Sequence, residues 1–203
     1  MCIRDRLYNF FLTNSFFSGI AKRVLGVATK RSLPAIHKIS LRKWYHKNYQ
    51  NGQGENGSVF LFCDEFTNWN DTEIGIKAIQ LLQALNYKVK LIEHPESGRA
   101  AISKGLLEKA KKLANQNVSI FKNLITESQP LVGIEPSAIL SFRDEYPRLV
   151  DKSLVESAQK ISRHTFTIEE FLFQEIQKGK INASHFTKAV SYTHLTLPTI
   201  LRV

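Results

Sequence analysis

Val59-Phe60-Leu61-Phe62, running into Cys63-Asp64, is a short apolar run with the length and composition of a buried strand, and it stops at a carboxylate. Beyond it the period changes. Ile74, Ala78, Leu81, Leu82 and Leu85 fall on one face of a helix, Asn70 or Asp71 is placed to cap its free amides, and Glu73 sits in the first turn where the helix dipole favours an acid. Asn86 closes that helix, and Val89 to Ile92 reads as a second strand. Ile102, Leu106, Leu107, Ala110, Leu113, Ala114, Val118, Phe121 and Ile125 then trace one long helical stripe, with Lys104, Lys109, Lys111 and Lys112 on its solvated side. Leu131-Val132-Gly133-Ile134 follows Pro130 as a third strand. Pro136 suits the first turn of a helix through Leu140 and Phe142, which Tyr146-Pro147 ends. Leu154, Val155, Ala158 and Ile161 make a further short helix. Thr167 and Glu170 form a capping box that opens a last one through Phe171, Leu172 and Ile176, closed near Gly179. Strands alternating with helices of this length predict a short parallel sheet with right-handed crossovers, a Rossmann-like three-layer α/β domain over residues 59–189.

Upstream of this unit the chemistry is different. Residues 50–58, Gln-Asn-Gly-Gln-Gly-Glu-Asn-Gly-Ser, read as a flexible linker, and residues 7–49 as a basic helical extension. No acid occurs from Leu7 to Gly54, so most of the net charge of +10 sits there and the remainder of the chain is nearly balanced. Phe16, Phe17, Ile20, Val24 and Val27 recur at three-to-four spacing, an amphipathic helix over 16–28 with Lys22 and Arg23 near its polar side. Such a helix packs on a neighbour or lies on a membrane surface, and both readings stay open. Trp44, Tyr45 and Tyr49 stand among Arg42, Lys43 and Lys47, a mixture able to stack on bases and neutralise phosphates, which makes a stand-alone basic binding module the alternative to the readings below. The two extremes, 1–6 (Met-Cys-Ile-Arg-Asp-Arg) and 190–203 (opening Val-Ser-Tyr-Thr-His-Leu-Thr-Leu-Pro-Thr), look like translations of a shotgun-library adapter in opposite orientations. On that resemblance neither is protein sequence, and the native portion runs from about Leu7 to about Ala189.

The bulk properties narrow the classes. With 43% hydrophobic and 23% charged residues the chain suits a globular protein, and no apolar stretch reaches the roughly 18 residues of a membrane span. Two cysteines, Cys2 and Cys63, exclude a disulfide framework and point to a reducing, cytoplasmic compartment, with peripheral membrane association on its cytoplasmic face left open.

Open parallel sheets bind ligands beyond the carboxyl ends of their strands, which singles out the loops Cys63–Asp71, Glu93–Ser103 and Glu135–Ser137. None is a dinucleotide or phosphate-binding glycine loop. In Ser97-Gly98-Arg99, Gly98 lets backbone amides approach a ligand and Arg99 supplies a fork of donors, so the segment is either an anion loop or an ordinary turn into a helix. Cys63 is a thiolate nucleophile only with a base beside it; otherwise it is a small buried hydrophobe. The histidines lack the short spacings of zinc sites. Glu135, Arg143, Asp144 and Glu145 are placed to form one charged cluster around the third strand, as a structural network or a catalytic one.

At these loops the sequence resembles the cysteine-rich domain of glycolate oxidase iron-sulfur subunits, heterodisulfide reductases and fused FAD-linked D-lactate dehydrogenase-like proteins. The resemblance rests on Phe62-Cys63-Asp64-Glu65-Phe66-Thr67-Asn68-Trp69-Asn70-Asp71-Thr72-Glu73, on Glu96-Ser97-Gly98-Arg99 with Ile102 to Leu107, on Gly133-Ile134-Glu135-Pro136-Ser137-Ala138 with Arg143 to Pro147, and on Phe166 to Glu175. It covers residues 59–178, and residues 7–48 resemble the segment that joins an upstream ferredoxin-type domain to this one. The resemblance implies a whole protein with a flavin domain that oxidises a 2-hydroxy acid such as D-lactate or glycolate, ferredoxin-type [4Fe-4S] clusters, and two cysteine-rich repeats that pass electrons onward. This chain would hold the first repeat alone, with the flavin, ferredoxin-type and second cysteine-rich portions as its partners, and no nucleic acid is expected.

Every ligand position departs from that pattern. The cysteine of the first loop falls at Glu65, the Cys-Cys-Gly element at Glu96-Ser97-Gly98, and the cysteine after Glu-Pro-Ser at Ala138, while Cys63 stands two residues from the first of these. An iron-sulfur cluster needs about four thiolates or an occasional substitute. The expectation is therefore an inactive fragment that holds neither FAD nor [4Fe-4S] itself, with both carried by the whole protein, and with no catalytic or metal residue of its own.

Overall fold

The computed structural model describes residues 8–11, 14–24, 26–28, 30–31, 35–50, 54–182 and 185. The adapter-like segments 1–6 and 190–203 lie outside them. Four short strands, β1 (Gly57–Phe62), β2 (Tyr87–Lys90), β3 (Leu131–Gly133) and β4 (Thr165–Thr167), form one all-parallel sheet in the order β2-β1-β3-β4. The chain runs outward from β1 to β2 and then crosses to β3 on the other side, so the order reverses between β1 and β3. That reversal is where open sheets of this kind form a crevice.

β1 explains why the sheet is covered on both faces. Val59 and Leu61 point to one side, against Ile79 and Leu82 of α4 (Thr72–Ala84) and Phe171 of α11 (Ile168–Gln177). Phe60 and Phe62 point to the other, into a layer with Val118 and Phe121 of α6 (Leu107–Phe121) and Ile161 of α10 (Val155–Arg163). Period-two alternation with both faces apolar is what turns a strand into a continuous hydrophobic run. Each such fully buried side chain contributes about 1.5–3 kcal/mol. The predicted three-layer α/β fold is thus the observed one.

Several details differ from expectation. The predicted face of α4 includes Ile74 and Leu81, yet these are exposed, and the buried stripe is Ile76, Ala78, Ile79 and Leu82. Its phase is set by Gly75: a Cβ there would lie 2.5 Å from Cδ2 of Leu41, so the missing side chain admits Leu41 of α2 (Leu41–Asn48) against the helix backbone. Asp71 precedes α4 without a side-chain cap, and Thr72 Oγ1 instead donates to the carbonyl of Asn68. The single stripe from Ile102 is two helices, α5 (Arg99–Ser103) and α6, broken at Gly105 with φ of 70°, and this leaves Leu106 and Leu107 exposed. The helix after Pro136 is split into α7 (Pro136–Ile139) and α8 (Ser141–Asp144). Tyr146-Pro147 restarts the helix as α9 (Tyr146–Leu149), because a proline preset for helical φ suits a first turn as readily as it blocks a continuing one. The capping box at Thr167 and Glu170 has both of its bonds. β4 escapes the sequence pattern because it is three residues long and ends on that same Thr167. The strand β1 begins at Gly57, inside the stretch expected to be a linker.

The basic extension packs on the α/β unit. Leu41 is fully buried, with Trp44, Tyr45 and Tyr49 set against the same core. β2 is an edge strand, and two phenols cover its outer rim: Tyr45 donates to the carbonyl of Val89 at 2.9 Å, and the amide of Val89 donates to Tyr49 at 2.9 Å. The two rings stack at 4.4 Å. Further upstream, α1 (Ser15–Val24) turns Phe17, Ile20 and Val24 of the predicted apolar stripe outward and buries Ser18 and Lys22, the reverse of the orientation expected for Lys22. No helix among the described residues is long and apolar enough to cross a membrane.

Candidate functional site at the carboxyl edge of the sheet

The loops after β1 and β2 meet as predicted, and their polar groups are spent on one another, while the side-chain bonds of the loop after β3 stay within it. After Phe62 the chain passes Cys63 to Asp64, whose Oδ1 accepts from the amides of Phe66 and Thr67 at 2.9 Å each and whose Oδ2 accepts from the Thr67 hydroxyl. This starts α3 (Glu65–Trp69). Burial outweighs these bonds and pushes the Asp64 carboxyl above its ordinary pKa. In the first turn of α3, Glu65 reaches across to the loop after β2. Its Oε1 accepts from the Ser97 hydroxyl at 2.8 Å and its Oε2 from the Ser97 amide at 3.0 Å.

The segment from Glu96 to Arg99 is the turn into α5, with Gly98 at its N-cap, and the two donors of Ser97 are taken by the protein's own Glu65 carboxylate. Gly98 takes a left-handed φ of 77° that a side chain would strain. Arg99 does not face a vacant site: its amide donates to Ser97 Oγ at 3.1 Å and its guanidinium pairs with Glu145 at 2.7 Å. From behind, Tyr146 donates to the Ser97 carbonyl at 2.6 Å, and Asn117 Nδ2 donates to the Glu96 carbonyl and to the Tyr146 oxygen, each at 3.0 Å. Glu96 is exposed.

The expected single cluster of Glu135, Arg143, Asp144 and Glu145 resolves into separate pairs. Glu135 caps α7 by accepting from the amide and hydroxyl of Ser137, Arg143 reaches both oxygens of Glu170 at 3.0–3.1 Å, and Glu145 belongs to Arg99. The reason is helical phase: successive positions of α8 and the residue after it point to different neighbours. Ala138 is buried, its methyl group in the core layer that holds Phe142 and Ile161.

Cys63 is buried, and desolvation raises its thiol to about 12 despite the opposing pull of Arg42. Sγ lies 3.5 Å from Asn68 Oδ1. His94 is nearby but touches the cysteine's backbone, not its thiol: the Cys63 amide donates to Nε2 at 3.1 Å, and Nδ1, as the protonated nitrogen, donates to the Pro95 carbonyl at 2.7 Å. Burial and the charge of Arg42 hold the imidazole down at about 4, and its ring stacks on Phe62 at 4.2 Å. Arg42 fixes the same loop from the basic extension, donating to the carbonyls of Ile92 and His94 and to Glu93 at 2.8–3.1 Å. His94 falls within the expected loop Glu93–Ser103 and Tyr146 within the resembled segment Arg143–Pro147, but the sequence assigns neither a role at this edge, and it does not point to Arg42 or Asn117 there. His94 follows a predicted strand end and is visible in principle; Arg42 and Asn117 come from elsewhere in the fold and carry no local signal.

Chemically, this edge offers no activated nucleophile, since a thiol held near 12 is protonated at neutral pH and the adjacent imidazole is committed to the backbone. Among the described residues no three His, Cys, Asp or Glu side chains are grouped to hold a metal ion. An iron-sulfur cluster does not fit the donor set either: Glu65 is bound by Ser97, position 138 carries a buried methyl group, and the nearby Cys63 thiol points at Asn68.

This chain is similar to dehydrogenases. A D-2-hydroxyglutarate dehydrogenase of Haemophilus influenzae is 23% identical over 97% of this chain and 19% of its own length. One from Pantoea ananatis is 22% identical over 96% of the chain and 19% of its own length. A component of the anaerobic glycerol-3-phosphate dehydrogenase of Escherichia coli is 24% identical over 77% of the chain and 39% of its own length. The chain therefore spans about a fifth of the length of the hydroxyglutarate dehydrogenases it matches. No family model matches it, and no solved structure does.

Proposed function

We propose that this chain is part of an FAD-linked, [4Fe-4S]-containing oxidoreductase of 2-hydroxy acids, and that it contributes a cluster-free α/β repeat to the electron-transfer portion of that protein. Flavin and clusters belong to other portions, and the repeat serves as a packing partner for a ligand-bearing counterpart. One observation carries the reading: two positions that hold cysteines in the resembled domain, Glu65 and Ser97, are bonded to each other at 2.8 and 3.0 Å. A hydrogen-bonded cross-link between loops does for the architecture what a shared cluster does elsewhere, without thiolates. The similarity to 2-hydroxyglutarate dehydrogenases over nearly all of the chain supports the substrate class. The basic-module alternative gains no support, because Tyr45 and Tyr49, two of its three aromatics, are engaged on β2.

Anaerobic reconstitution of the 203-residue chain with iron and sulfide tests this reading. The parent chain is expected to stay free of the broad visible absorption of a cluster, and a variant carrying Glu65→Cys, Glu96→Cys, Ser97→Cys and Ala138→Cys to acquire it. A stoichiometric cluster in the parent overturns the reading.

A further inference from the structure

The amino ends of the strands, opposite the edge described above, enclose a cavity of about 360 Å³. We propose that it is a binding site for a small organic carboxylate with an apolar body, whose charged end is received by Arg163. This inference is independent of the redox reading.

Its walls are of two kinds. Val59, Pro130, Phe166 and Phe171 supply an apolar surface, contributed by β1, the turn before β3, β4 and α11. Three cations, Arg163, Lys178 and Lys180, line it together with two carboxylates, Glu127 and Glu175. The buried carboxylate of Glu175 is already satisfied: it accepts from Tyr87 at 2.6 Å and pairs with Lys178 at 2.7 Å and Lys180 at 3.1 Å. At Glu175 a cationic ligand would have to displace these ammonium groups, and the other carboxylate, Glu127, is solvent-exposed. Arg163, by contrast, an exposed residue that also lines the cavity, makes no side-chain hydrogen bond or ion pair among the described residues. A planar fork of donors suits a carboxylate, and the apolar wall suits the ring or short alkyl chain that would carry it.

Size agrees with that chemistry. Small-molecule sites run from about 300 to 1,000 Å³, and a void of about 150 Å³ holds benzene, so this cavity admits one ring and its carboxylate with room for a few waters. Inorganic phosphate would meet the cations but leave the Phe166 and Phe171 surfaces unused.

The test is an amide chemical-shift titration of the full chain with benzoate, benzyl alcohol and inorganic phosphate in parallel. Benzoate is expected to give saturable shifts at the cavity residues of β1, β4 and α11, with benzyl alcohol and phosphate each weaker by about tenfold or more, since a charge-assisted bond or an apolar wall is then lost. Arg163→Gln is expected to weaken benzoate by about tenfold while leaving the urea midpoint unchanged, because the side chain has no partner to lose. Gln174→Trp, which fills the cavity from α11, is expected to abolish the titration. Absence of saturable shifts in the parent, equal binding of the alcohol or of phosphate, or unaltered affinity in Arg163→Gln each overturns the proposal.

Discussion

Glu65 and Ser97 join the loops after β1 and β2 through two bonds to one carboxylate, from the serine hydroxyl at 2.8 Å and its amide at 3.0 Å. Ser97 is fully buried, so both of its donors lack access to water if the carboxylate is removed. Charge-assisted bonds are worth about 1.5–3 kcal/mol, and an orphaned buried donor adds its own desolvation cost. Glu65→Ala is expected to lower stability by about 2–3 kcal/mol in urea denaturation, and Ser97→Ala, which keeps the amide bond, by about 1 kcal/mol. Ser97→Ala also removes the acceptor of the Arg99 amide, so a smaller effect of Glu65→Ala than of Ser97→Ala would mean that the Ser97 amide bond to Glu65 is worth less than the bond from Arg99.

His94 makes the fold sensitive to acid. Burial and Arg42 carry its pKa from 6.5 down to about 4, so between those values the unfolded chain binds a proton that the folded chain refuses. Stability present above pH 6.5 is therefore lost as the pH falls toward 4, by up to about 3 kcal/mol for a shift of this size. Urea midpoints from about pH 7.5 to about pH 4.5 should fall more steeply for the parent than for His94→Gln, which has no proton to take up. Parallel curves would exclude His94 as the source.

Gly133 ends β3 directly beneath α7, and a Cβ there would lie 2.4 Å from Cβ of Ile139. Neither the strand nor the helix can yield without disturbing the core around Phe62 and Phe142. Gly133→Ala is expected to cost about 1–3 kcal/mol, with Ile139→Ala as a second change recovering part of the loss through the space it opens. Thermal melts of the two single variants and the double variant measure this coupling.

The fold is legible in the sequence because its signals are local and redundant. Val59 to Phe62 is apolar on both faces, and Thr167 with Glu170 announces the last helix by chemistry alone. What stays hidden depends on contacts distant in sequence. The phase of α4 is decided by Leu41 lying over Gly75, thirty-four positions away, and no periodicity within Thr72–Ala84 contains that fact. The same holds at the carboxyl edge: the loops follow from strand ends, but the pairing of Arg143 with Glu170 rather than with its chain neighbours follows from how α8 sits beside α11. Ser97-Gly98-Arg99 is readable as a loop suited to an anion, yet nothing local says that the anion comes from position 65.

Each phenol on Val89 should be separable by hydrogen exchange. Tyr49→Phe removes the acceptor for the Val89 amide and is expected to speed exchange at that amide and to cost about 1 kcal/mol, whereas Tyr45→Phe frees only the carbonyl and should leave the amide rate nearly unaltered. Identical exchange in both variants would show that the amide is protected by burial alone.

That pair of tyrosines also determines where the folding unit can be cut. A fragment started at the glycine-rich stretch before β1 would retain every strand and still lose the guard on its outermost one, along with the leucine that plugs the groove over Gly75. Naked backbone on a terminal strand is a template for another chain, so such a shortened protein should self-associate while one that begins ahead of Ser40 stays dispersed.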